Sequence, residues 1–184
     1  TERQFIIRIA FPHHNFGPNF AMQLTTILGN ISFMGHLKLM DVEYPESYLK
    51  EFKGPKFGIQ GIRDLLGVHD RPLLNNMIKP CTGLNPKQTA ELAYEVALGG
   101  VDIIKDDELV ADPPHCPLIE RVKAVMPAIK AADEEKGEKT LYTFNITDRV
   151  DRLRENALRA IDAGANALMV NTWVVGLDAC RMLT

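Results

Sequence analysis

From Pro72 onward, short apolar runs alternate with longer amphipathic stretches, the pattern of repeated βα units around a parallel sheet. Four runs predict strands: Leu73 to Ile78, Asp102 to Lys105, Thr140 to Asn145 and Ala167 to Asn171. Each is rich in aliphatic residues, as a strand covered on both faces must be, and each is followed by polar or turn-forming residues. The segments between them predict helices with recognisable ends. Asn85 can cap the first, with Pro86 at the first helical position, where a missing N–H costs nothing, and Gly99-Gly100 stops it. The second places Leu118, Val122, Val125, Ile129 and Ala132 at helical spacing, with Gly137 just past its end. The third runs from about Val150 to Ala163 and ends at Gly164.

Upstream the pattern changes. Phe5 to Phe11 is strand-like, Phe20 to Leu28 predicts a helix and His36 to Val42 another strand, which together make α+β material. The stretch FKGPKFGIQG, dense in Gly and Pro, predicts a connecting loop. Residues 1–60 are therefore read as α+β material with its linker, and residues 61–184 as four βα units. Two architectures fit such units, an open doubly wound sheet and the first half of a (β/α)8 TIM barrel. The GxGxxG and GxxxxGK[ST] phosphate-binding patterns are absent, and polar residues end several strands, which favours the barrel. Half a barrel has open sheet edges, and a complete one needs about 250 residues, so the sequence is expected to be part of a protein about twice as long. The helix after the fourth strand is expected to be only starting at Leu183.

Composition narrows the partners. A net charge of −3 and a pI near 5.9 offer no basic face for phosphate backbones, which excludes nucleic acid and leaves a small molecule as the expected ligand. Cys81, Cys116 and Cys180 show neither CxxC spacing nor a zinc-finger partner and suit a reducing cytoplasm. No apolar run is long enough to span a bilayer, and no membrane association is expected. Two glycosylation sequons, starting at Asn30 and at Asn145, carry no weight in a cytoplasmic protein.

In a barrel, functional groups gather at the C-terminal strand ends, because the interior is packed. Here those ends carry Lys79, then Lys105-Asp106-Asp107-Glu108, then Asn145-Ile146-Thr147, then Asn171. Alternation puts Lys105 and Asp107 on one side, Asp106 on the other and Glu108 at the loop. Two chemistries are open to a lysine beside two carboxylates. An ammonium would pair with them. A lysine that reacts with CO2 becomes a carbamate, and carbamate, Asp107 and Glu108 then offer three anionic oxygen ligands suited to Mg2+. Such an ion polarises a ketone and stabilises the enediolate formed on proton removal, with Lys79 one strand away to move a proton or hold the enediolate oxygen.

The order RPLL, IKP, GGVDIIKDDE and TLYTFNIT across residues 71–147 resembles the RuBisCO large-chain family. FKGPKFGIQGIRDLLGVHDRPLL is similar to that family's lead-in to its barrel, and LTTILGNISFMGHLKLMDVEYP to the end of its N-terminal domain, which implies that residues 1–60 are the C-terminal part of an α+β, ferredoxin-like domain with its linker. The resemblance implies that Lys105 is the carbamylated lysine, that Asp107 and Glu108 complete the Mg2+ ligands, and that Lys79 is the first active-site lysine. It implies that Asn30 is lent to a neighbouring subunit's active site in at least a homodimer, and that Asn145 and Thr147 lie near the metal and bind substrate. Carboxylating members have a second lysine in an IKPK pattern, where this chain has Cys81, and a hydroxyl-bearing residue where it has Met77. The sequence therefore resembles the non-carboxylating RuBisCO-like branch, whose members enolise, isomerise or decarboxylate phosphorylated sugar-like substrates. Genuine ribulose-1,5-bisphosphate carboxylase/oxygenase activity, a Schiff-base aldolase and a non-catalytic sugar-phosphate-binding homologue are the competing readings.

Overall fold

A computed structural model describes residues 4–30 and 35–184, without the side chain of Asn30. The chain divides into two compact units, Thr1–Gly54 and Pro55–Thr184.

The first unit holds a 3-10 turn (His13–Asn15), α1 (Phe20–Leu24) running into a π-helical turn (Thr25–Asn30), and α2 (Glu46–Leu49). Asn19 caps α1 by accepting from the Met22 N–H. Gln23 is buried because the Tyr44 hydroxyl accepts from its amide nitrogen and the Tyr48 hydroxyl donates to its amide oxygen. The strands expected at Phe5 to Phe11 and His36 to Val42 are not formed among the described residues. A strand exists only where a neighbour completes its hydrogen bonds, and Ile6, 97% exposed, has no layer over it.

The second unit runs α3 (Gly58–Leu66), β1 (Asn75–Met77), α4 (Pro86–Leu98), β2 (Ile103–Lys105), α5 (Leu118–Lys136), β3 (Leu141–Asn145), α6 (Val150–Asp162), β4 (Ala167–Met169), α7 (Thr172–Val175) and α8 (Leu177–Leu183). All strands are parallel in the order β1-β2-β3-β4. An open doubly wound sheet reverses its strand order at a switch point, and this sheet does not, so the unit is α/β of partial TIM-barrel form. Two expectations are corrected. Gly58 to Gly61, read as loop, begin α3, because Ile62 and Leu66 one turn apart give it an apolar face against Leu141. The helix expected to be only starting at Leu183 already begins at Leu177, with Ala179 buried against the unit.

The helix ends follow from sequence. Asn85 accepts from the Gln88 N–H while the Gln88 side chain accepts from the Asn85 N–H, a reciprocal capping box with Pro86 behind it. Gly137 ends α5 at φ 75°, a conformation that strains any residue with a Cβ. α5 continues through Pro127 because Val122, Val125 and Ile129, all fully buried, hold both sides of it in the core. Alternation sorts each strand. Ile104, Tyr142 and Phe144 enter the layer beneath the helices with Ala93, Ala97 and Val125, each large side chain contributing about 1.5–3 kcal/mol by burial. Ile103 and Leu141 face the other way, where α3 covers them. Register then sets Met77, Lys105 and Thr143 side by side at the C-terminal edge, where the site lies.

Candidate active site

Lys79, just past β1, and Lys105, the last residue of β2, each meet one of the three carboxylates that follow β2. The Lys79 ammonium donates to Asp107 Oδ2 at 2.6 Å, and Lys105 donates to Glu108 Oε1 at 2.5 Å with Met169 Sδ of β4 3.9 Å away. The four residues thus form two ion pairs at neighbouring strand ends. Their environments differ: the Asp107 side chain is 6% exposed against 60% for Lys79, so the carboxylate is rooted in the protein and the ammonium stands in the opening.

The charges hold one another. The hydrogen bond to Asp107 raises the Lys79 pKa, which keeps it an ammonium. Burial pushes Asp107 up, but the Lys79 hydrogen bond, the Leu109 N–H and the two lysine charges together leave it below the usual carboxylate range. Lys105 does the same for Glu108 through its hydrogen bond.

Asp106 points away, as alternation requires, and is buried. Its Oδ2 accepts from Arg121 Nε at 3.0 Å and the Asn145 N–H at 2.9 Å, and its Oδ1 from the Tyr142 hydroxyl at 2.7 Å. Burial pushes the Asp106 carboxyl up, while Arg121, Tyr142 and Asn145 pull it back toward the ionised form; the same burial, with Asp106 beside it, raises Tyr142 well above its ordinary value. Arg121 and Tyr142 were not singled out in the sequence. The one available signal was Arg121 itself, a charge on the apolar face of α5 three residues after Leu118 and next to Val122.

Asn145 and Thr147, expected near the metal and the substrate, lie beside the site loop: Asn145 is completely buried and its amide nitrogen donates to the backbone carbonyls of Asp107 and Glu108 at 3.3 and 3.0 Å. Its oxygen accepts from the Thr147 N–H, and Thr147 Oγ1 accepts from the Asn171 N–H. These groups are occupied in fastening the ends of β3 and β4 to the site loop. The side chain of Asn30, expected to serve a neighbouring subunit, lies outside the described residues.

Among the described residues no three His, Cys, Asp or Glu side chains come together as a metal cluster. Two carboxylates facing two ammonium groups do not attract a divalent cation unaided. Carbamylation of Lys105 from its ammonium form (R–NH3+ + CO2 → R–NH–COO− + 2H+) would remove the positive charge and add anionic oxygens beside Glu108. With that change the donors Lys105, Asp107 and Glu108 fit a hard cation such as Mg2+.

Residues 58–184 match the family described as ribulose bisphosphate carboxylase large chain, catalytic domain. The chain is 56% identical over 181 residues to a ribulose bisphosphate carboxylase-like protein of Archaeoglobus fulgidus, covering 98% of this chain and 41% of that protein. It is 43% identical over 178 residues to a 2,3-diketo-5-methylthiopentyl-1-phosphate enolase of Bacillus thuringiensis, covering 97% of this chain and 43% of the enolase. In structure it is similar to the octameric ribulose-1,5-bisphosphate carboxylase/oxygenase of Pyrococcus horikoshii, with a TM-score of 0.88 and 34% identity over 94% of this chain and 42% of that one. The chain thus spans about two fifths of the length of the relatives it matches. The sequential parallel sheet, the Lys105 to Glu108 strand end and these matches together place the chain in the RuBisCO large-chain family, on its RuBisCO-like branch.

Proposed function

We propose that the protein of which this chain is part enolises a phosphorylated sugar-like substrate in an Mg2+-dependent reaction, removing a proton α to a ketone without fixing CO2. The observation that carries the reading is the meeting of Lys79, Lys105, Asp107 and Glu108 at the ends of two adjacent strands. Carbamylated Lys105, Asp107 and Glu108 would hold Mg2+, which when bound supplies Lewis-acid polarisation of a substrate carbonyl. The chain's own groups do the rest. Lys79, held as an ammonium and exposed at the mouth, donates to an oxygen on which negative charge develops, the electrostatic role that needs a fixed donor. Its raised pKa opposes a Schiff-base mechanism, which needs a neutral amine. Cys81 stands where the carboxylating relatives carry a second lysine, and a partly exposed thiol supplies no permanent positive charge. The enolase name of the Bacillus thuringiensis relative supports the same class of chemistry. The reading includes a homo-oligomer in which Asn30 completes a neighbour's site, and a cytoplasmic location; no helix among the described residues is long and apolar enough to cross a membrane.

The test uses the full-length protein with a 2,3-diketo-5-alkylthiopentyl-1-phosphate in D2O, following deuterium uptake α to the ketone by NMR. Exchange should rise on preincubation with bicarbonate and Mg2+ and vanish with EDTA or in Lys105→Ala. Labelled CO2 should not enter ribulose bisphosphate. Exchange indifferent to all three treatments would refute the metal-carbamate mechanism.

A further inference from the structure

The loop that carries Asp107 and Glu108 is closed by one side chain that never reaches the opening. Arg121, on the first turn of α5, is fully buried. Its Nε donates to Asp106 at the start of the loop, its Nη2 to the carbonyl of Ala111 at 2.7 Å and, at 3.4 Å, to that of Val110, and its Nη1 to the carbonyl of Cys116 at 2.7 Å. The guanidinium thus spans the start, middle and end of the segment between β2 and α5. A lysine could not do this, because a single ammonium lacks the planar fork that reaches separated acceptors. From β3, the Tyr142 hydroxyl donates to the other oxygen of Asp106, Oδ1, and the Asn145 N–H shares Oδ2 with Arg121. Asp106 is adjacent to Asp107 in the chain, so its fixed orientation sets where the Asp107 carboxylate emerges.

We infer that Arg121 is a positioning residue for the Asp107 and Glu108 carboxylates, acting through Asp106 and the loop carbonyls. The inference rests on the proposed metal role of those carboxylates for its binding readout but not for its geometric one. A second ion pair provides the control: at the opposite end of β2, the partly exposed Arg71 donates to the buried Asp102 through both Nη atoms, at 2.7 and 2.8 Å. Loss of that pair weakens the same sheet without touching the site.

In the full-length protein, Arg121→Lys and Asp102→Asn are compared in bicarbonate buffer by EPR titration with Mn2+ and by hydrogen exchange of residues 106–116. Arg121→Lys should weaken Mn2+ binding by about tenfold or more and speed exchange of the loop amides by a similar factor, the usual consequence of removing an outer-shell support. Asp102→Asn should lower the melting temperature while changing both less than about twofold, as expected for a site with no shared partner. Equal effects of the two substitutions, or no effect of Arg121→Lys, overturn the inference. If the unsubstituted protein binds no Mn2+, the metal reading falls, and the exchange comparison alone decides the positioning role. If Arg121→Lys does not fold, Tyr142→Phe replaces it, with about a fivefold change expected for one lost hydrogen bond and no change counting against the inference.

Discussion

Replacing Asn145 by alanine removes three hydrogen bonds from the centre of the site without touching an ionised group. Two run from the amide nitrogen to the carbonyls of Asp107 and Glu108, and one enters its oxygen from the Thr147 N–H. The Glu108 end is half-exposed, so water can reach that carbonyl once the amide is gone. The other two groups stay beneath the surface, and each unpaired group costs about 1–1.5 kcal/mol, to which the vacated amide volume adds about 1 kcal/mol. The expected loss is about 3–4 kcal/mol. With an m-value of about 3 kcal/mol/M, the urea midpoint of the full-length protein should fall by about 1 M. Asn145→Asp separates donor from volume. At neutral pH it aims a carboxylate at two carbonyl oxygens and should be less stable than the alanine variant, and the gap should narrow as acid protonates the new carboxyl and restores one donor. A loss under about 1 kcal/mol for Asn145→Ala, against the magnitudes expected for buried unpaired groups, or an aspartate variant as stable as asparagine at pH 7, would refute the clamp.

Other consequences can be checked on the same protein. The Arg71 hydrogen bonds hold the Asp102 pKa below its unfolded value of about 3.9, so the stability from this pair is fully present above that pH and lost as pH falls through the lower folded pKa. The stability difference between the natural protein and Arg71→Gln should therefore shrink in acid unfolding titrations as pH drops below about 4. Phe144→Ala removes a fully buried ring 4.5 Å from that of Tyr142 and should cost about 3–5 kcal/mol in urea unfolding. Gly137→Ala places a Cβ at φ 75° and should cost about 1 kcal/mol, seen as a lower melting temperature with unchanged Mn2+ affinity.

The βα units, their caps and the convergence of Lys79, Lys105, Asp107 and Glu108 were legible in the sequence, because each rests on local rules. Periodicity of two sends Asp106 away from Lys105 and Asp107, apolar runs mark strands covered on both faces, and Asn85-Pro86 and Gly137 mark helix ends by their own backbone preferences. What failed locally was what depends on neighbours. Phe5 to Phe11 reads as a strand but has no ladder among the described residues, and Gly58 to Gly61 read as loop although Ile62 and Leu66 anchor them in a helix. The tertiary structure alone decided which lysine meets which carboxylate, since Lys79 and Asp107 lie on different strands. It alone fastened Asn145 to the carbonyls of Asp107 and Glu108, and drew Arg121 and Tyr142 beneath the site. Those assignments depend on distances across the sheet and on which polar atoms remain unpaired once the chain is packed, and linear order carries neither.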